Sequence, residues 1–209
     1  MQARACRQTV SLKTICLQSL IIVSISGCGA DGGRVKVKIP GVRTPVTYGA
    51  NEVKLSDDQV ILGVLVDGKA RAYFVQALAL PSHDQFRASV MTGDMSLLGD
   101  HLVNDIVNNV PISVSYCDST DCKAVFTQDG TAPIDLYVGG TDGDRMLLMF
   151  RGERFPQDAE LPPLDRVPHQ LLPWGEWKSR YPRTDIYLGR YAPEFVIDYV
   201  DPRQMGPQQ

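Results

Sequence analysis

The sequence predicts a mainly β fold of the α+β kind: antiparallel hairpins forming a sheet, a sandwich or a partial barrel, with one or two short helices. Three observations predict it. Two turn signals, Asp67-Gly68 and Asn108-Asn109, each sit between two strand-like runs. Further short β-prone runs recur between clusters of Gly, Pro, Asn and Asp. Helical spacing of large side chains is clearest in one stretch, Leu172 to Pro182.

The N-terminal residues 1–27 have the layout of a lipoprotein signal peptide. Arg4, Arg7 and Lys13 precede the apolar run ICLQSLIIVSIS, which is short for a bilayer span. The run ends in Ile25-Ser26-Gly27-Cys28, which resembles a bacterial lipobox. That resemblance implies diacylglycerol on the Cys28 thiol and a membrane partner through the lipid anchor. Several acyl chains hold far more firmly than one. Gly29 stands where an inner-membrane retention signal would have Asp, so the expected place is the cell envelope, outer membrane rather than inner.

Residues 28–50 are rich in Gly, Pro and basic residues and read as a flexible tether. Residues 51–200 are expected to form one β-rich domain, and 201–209 a disordered tail. The chain carries a net charge of −3 with no basic stripe, which argues against a nucleic-acid partner. There is no P-loop, no dinucleotide fingerprint and no G-x-S-x-G elbow.

The first hairpin spans Val60 to Phe74. A two-residue turn at Asp67-Gly68 pairs Val66 with Lys69, Leu65 with Ala70 and Ile61 with Phe74. Ile61, Gly63, Leu65, Ala70, Ala72 and Phe74 then share an apolar face expected to meet the core. Val64, Arg71 and Tyr73 share the other, mixed face. Val75 onward begins a short helix or prolongs the strand until Pro81, and Met91 to Leu98 reads as loop or a helical turn.

The second hairpin spans Leu102 to Tyr116. A turn at Asn108-Asn109 pairs Val107 with Val110, Asp105 with Ile112, Val103 with Val114 and His101 with Tyr116. These side chains share a predominantly apolar face, for which burial is expected. His101 and Asp105 on that face would need polar partners. The same register puts Ser113, Ser115 and Cys117 on the opposite face. Ala124 to Thr127, Ile134 to Val138 and Arg145 to Phe150 are further strands, then comes the helix at Leu172 to Pro182, and Asp185 to Leu188 is a last strand.

These landmarks, "VILGVLVDGKARAYF", "HLVNDIVNNVPISVSYC", "AVF", "RMLLMF" and "PWGEWKSRYPRTDIYLG", resemble in order and spacing the bacterial domain-of-unknown-function family 3179. Its members show "H..VND" followed by "YCP.C", which His101, Asn104, Asp105, Tyr116, Cys117 and Cys122 match. Here four residues separate the cysteines where the family has two, and Asp118 replaces the Pro. The resemblance implies no established activity.

The candidate functional site is therefore His101, Asp105, Tyr116, Cys117 and Cys122. Cys6 and Cys16 fall within the signal and Cys28 is the lipidation candidate. The remaining pair, Cys117 and Cys122, is open to three readings: a disulfide in an oxidising envelope, a zinc or copper site completed by His101, or thiol exchange. Asp118 and Asp121 disfavour the last, since neighbouring carboxylates raise a thiol pKa. The function read from the sequence is a non-enzymatic binding or accessory module, with a metal- or thiol-dependent activity as the rival.

Overall fold

Both turn signals fold as hairpins in the expected register. A computed structural model describes residues 34–79 and 100–201. Asp67 and Gly68 have φ of 46° and 82°, and Asn108 and Asn109 have 50° and 63°, the left-handed region that two-residue turns require. The first turn joins β4 (Val60–Val66) to β5 (Lys69–Phe74), and the second joins β6 (Leu102–Val107) to β7 (Val110–Cys117). The pairs Val66 with Lys69, Ile61 with Phe74, Asp105 with Ile112 and Val107 with Val110 all form. The β6–β7 ladder ends at Leu102 opposite Ser115, so His101 lies one residue outside it.

The described residues form three sheets. The central one has the order β12-β8-β7-β6-β2, using β8 (Cys122–Thr127), β12 (Asp165–Arg166) and β2 (Val42–Arg43). One outer sheet runs β13-β4-β5-β14-β3, with β13 (His169–Pro173), β14 (Asp185–Tyr187) and β3 (Thr47–Gly49). The second outer sheet runs β1-β9-β10-β11, with β1 (Arg34–Pro40), β9 (Leu136–Asp142), β10 (Arg145–Phe150) and β11 (Glu153–Pro156). Short helices α1 (Val75–Leu78), α2 (Trp174–Arg180) and α3 (Ala192–Phe195) complete the fold. The mainly β class with few short helices is as expected. The sheets are layered and do not close into a barrel.

The central sheet is buried on both faces. Val103, Val107, Ile112, Val114 and Val125 join the core shared with the first outer sheet. Leu102, Cys117, Cys122, Ala124 and Phe126 join a second core with Leu136, Val138, Met146 and Leu148 of the second outer sheet. Alternation along β6, β7 and β8 makes this possible, because odd and even residues point to opposite cores.

One expectation needs correction. Residues 34–49 of the stretch read as tether hold β1, β2 and β3. The Gly and Pro content hid them: β1 alternates Lys36, Val37, Lys38 and Ile39, with Ile39 buried in the second core. The first hairpin buries its apolar face as expected, with Ile61, Ala72 and Phe74 fully buried in the core, and buries its mixed face as well. Arg71 and Tyr73, on the mixed face with Leu62, Val64 and Val66, reach Asp105 of the central sheet. The apolar face is covered by residues from α2, α3 and the turn before α3, which belong to or pack against the same core. Trp177 of α2 lies over Gly63, where a Cβ would come within 2.5 Å of the indole, and Tyr191 and Phe195 pack edge-on against Phe74. Leu65, at the end of that face, stays 47 % exposed. The expected segments at Pro81, Met91 to Leu98 and 202–209 lie outside the described residues.

Candidate functional site

The five residues singled out in the sequence lie on β6, β7 and β8 and just before β6, but enter three environments. Asp105 faces the first outer sheet and is 5 % exposed. Its Oδ2 accepts from Arg71 Nη1 at 2.6 Å and from the Tyr73 hydroxyl at 2.6 Å, and its Oδ1 accepts from the Ile106 N–H at 2.7 Å. Arg71 extends the chain of charge outward: its Nη2 approaches Asp185 at 3.4 Å, and Lys69 Nζ lies 2.7 Å from the same carboxylate. Tyr73 is fully buried. Desolvation, then the adjacent Asp105 charge, holds its hydroxyl well above the usual tyrosine value. Tyr73 therefore stays a neutral donor to a buried carboxylate.

Arg71, Tyr73, Lys69 and Asp185 were not among the candidates. The signal that could have found them was Asp105 itself. A carboxylate on an apolar strand face demands a cation, and the mixed face of the preceding hairpin supplies one.

His101 marks the second environment. Its Nδ1 lies 2.9 Å from the Tyr116 carbonyl oxygen, and its Nε2 is 3.7 Å from Asp118 Oδ1. Burial pushes the imidazole below its ordinary value, opposed by the pull of Asp118, the Tyr116 and Leu78 carbonyls and Asp100. A neutral ring donating from Nδ1 to the carbonyl fits this setting. Asp100 is in turn held by Arg190, whose guanidinium also donates to the carbonyls of Gln76 and Ala79 and so ties the start of β6 to α1. Tyr116 sits half-buried nearby. Its hydroxyl donates to Asp121 at 3.1 Å, and burial together with that carboxylate pushes its pKa up to about 12.

The cysteines make the third environment. Cys117 and Cys122 are directly opposed across β7 and β8. Cys117 carries a free, buried thiol whose Sγ lies 3.9 Å from the Asp144 carbonyl. Both cysteines belong to the core under the second outer sheet, whereas His101 contacts Leu78 and Asp118. Among the described residues, no three side chains of His, Cys, Asp and Glu gather as a metal set.

Behind the cysteines runs a neutral polar strip. Ser113 Oγ donates to Asn104 Oδ1 at 2.6 Å, and Asn104 Nδ2 donates to the Leu136 carbonyl at 3.0 Å. Gln157 Nε2 donates to Ser115 Oγ at 2.9 Å and to the Cys122 carbonyl at 3.3 Å. These bonds join the central sheet to the second outer sheet.

An open concavity lies elsewhere, at the hairpin end of the first outer sheet. Here the β4–β5 turn, Asn108 and residues 180–184 enclose about 550 Å³. The clefts of this size place it within the range of small-molecule sites. No family model, curated protein or solved structure matches this chain.

Proposed function

We propose that this protein is an exported lipoprotein, anchored through Cys28, whose folded part is a non-enzymatic binding or accessory module of the cell envelope. The observation that carries the binding part is the contrast between locked and open polar groups. Asp105 has three donors, Nδ1 of His101 is held by a backbone carbonyl, and Cys117 is buried in a core. Groups held this way organise a core. The cleft at the hairpin end is open and lined by polar and charged side chains. The zinc or copper reading through His101, Cys117 and Cys122 draws no support from a geometry that points the cysteines and His101 to different surroundings.

The anchor and the binding role are tested on one preparation. The full chain is produced in a bacterial envelope, extracted in detergent and weighed intact and under native conditions. A diacylglyceryl mass that disappears in Cys28→Ala, with loss from the membrane fraction, is the expected result for the anchor. A stoichiometric co-purifying small molecule is the expected result for the module. A polypeptide that remains unmodified at Cys28 overturns the anchor; catalytic turnover of that small molecule overturns the non-enzymatic role.

A further inference from the structure

The geometry points to the cleft at the hairpin end as a binding site for a small organic oxyanion, a carboxylate or a phosphate; this rests on the binding-module reading. The site is built by chain segments far apart in sequence. Asp67, Gly68 and Lys69 come from the β4–β5 turn, Asn108 from the β6–β7 turn, and Arg180 to Thr184 from the end of α2 and the loop before β14. Asn108 Nδ2 donates to the Asp67 carbonyl at 3.2 Å, so the two turns are tied together. Gly68 has φ of 82°, and a Cβ there would meet nothing within 4 Å, which leaves the turn backbone open. Tyr181 forms one wall, and its ring centroid lies 4.4 Å from that of the buried Trp177.

Charge gives the ligand class. The whole chain carries −3, yet this cleft is lined by Lys69, Arg180 and Arg183 against the single carboxylate of Asp67. The cleft at Tyr48, Glu52 and Asp198 has no Lys or Arg in its lining, and the one at Asp129, Arg151 and Asp165 has more acid than base. Lys69 and Arg180 each rest on an acid from outside the lining, Asp185 and Glu176. Such partly exposed pairs are weak, and an ammonium with three donors or a guanidinium with five keeps donors to offer. Arg183 is exposed and has no hydrogen-bond or ion-pair partner among the described residues. A planar guanidinium without an acceptor is suited to bidentate capture of a carboxylate or phosphate.

The test uses the full chain in detergent at low ionic strength and titrates it calorimetrically with pyrophosphate and, separately, with citrate. Saturable binding of one or both is expected, and which one binds separates phosphate from carboxylate recognition. Arg183→Glu is expected to weaken it by about tenfold or more, the loss of one charge-assisted contact and its replacement by repulsion. An unchanged thermal midpoint shows that the variant is folded, as exposure of Arg183 leads one to expect; Arg180→Gln serves as the second variant if it is not. Absence of saturable binding by either anion, or binding unchanged in a folded variant, overturns the oxyanion site. An uncharged co-purifying molecule in the native mass would overturn the oxyanion site while leaving the binding module standing. Failure of both experiments removes the module as well.

Discussion

The two faces of the central sheet are made by the same strands and are equally buried, yet they solve burial in opposite ways. Toward the first outer sheet, β6 and β7 present Val103, Val107, Ile112 and Val114 around one charged residue, Asp105, which is matched by Arg71 and Tyr73. Toward the second outer sheet they present Asn104, Ser113, Ser115 and Cys117, small neutral groups that hydrogen-bond to each other, to Gln157 and to backbone carbonyls. The first face concentrates its polarity in one ion pair. The second spreads it over several neutral bonds. A buried charge loses much when its partner is removed, whereas each neutral bond contributes about 1 kcal/mol and fails separately.

The largest expected effect breaks the charged face. Arg71→Met leaves Asp105 buried without its cation and should cost about 3–5 kcal/mol in urea unfolding. Adding Asp105→Leu removes the orphaned charge and should recover most of the loss. If the double variant is as unstable as the single one, Arg71 acts through packing and the contrast between the faces fails.

The neutral face should yield less. Ser113→Ala removes the donor to Asn104 Oδ1 in a fully buried setting and should cost about 1–2 kcal/mol, the penalty of one unsatisfied acceptor. A loss equal to that of Arg71→Met would show that the neutral strip is one cooperative network, not a set of separate bonds.

The smallest effect is a pH dependence at the end of β6, where His101 is buried. Its folded pKa lies below the unfolded value, so the unfolded state takes up the proton first. The His101 contribution is therefore full above the ordinary histidine value of 6.5 and is lost as pH falls below it. Asp100 works in the opposite sense: its raised pKa favours the folded state as pH falls through that raised value, a gain complete once pH passes its ordinary value of 3.8. Comparing urea midpoints of wild type and His101→Asn at pH 7.5 and at roughly pH 5.5 isolates the histidine. A fall on acidification that is equally steep in the variant would assign the pH dependence to other groups.

Much of the local structure was legible in the sequence. Both hairpins form with the expected turns and pairs, because Asp-Gly and Asn-Asn accept positive φ and a two-residue turn leaves the register no freedom. The helix at Trp174 and the strand at Asp185 were legible from aromatic spacing and the prolines around them. Strands β1 and β13 were not, since Lys36, Lys38, Gln170 and the flanking prolines resemble loop composition. Asp105 was legible as a group needing partners, but Arg71 and Tyr73 were assigned to a face expected to be only mixed.

Alternation and turn chemistry are local, so the sequence by itself determined which residues share a strand face and which residues pair across a turn. Which face meets which layer is a question about neighbours far along the chain, and only the tertiary structure decided it. The apolar face of the first hairpin is covered by Trp177, Tyr191 and Phe195, which lie more than a hundred residues later. That cover leaves the opposite face to meet the central sheet and places Arg71 on Asp105. The Ser and Asn face of β6 and β7 would suit water on its composition alone. It is buried because β9 and Gln157 bring carbonyl and amide groups that serve as hydrogen-bond partners.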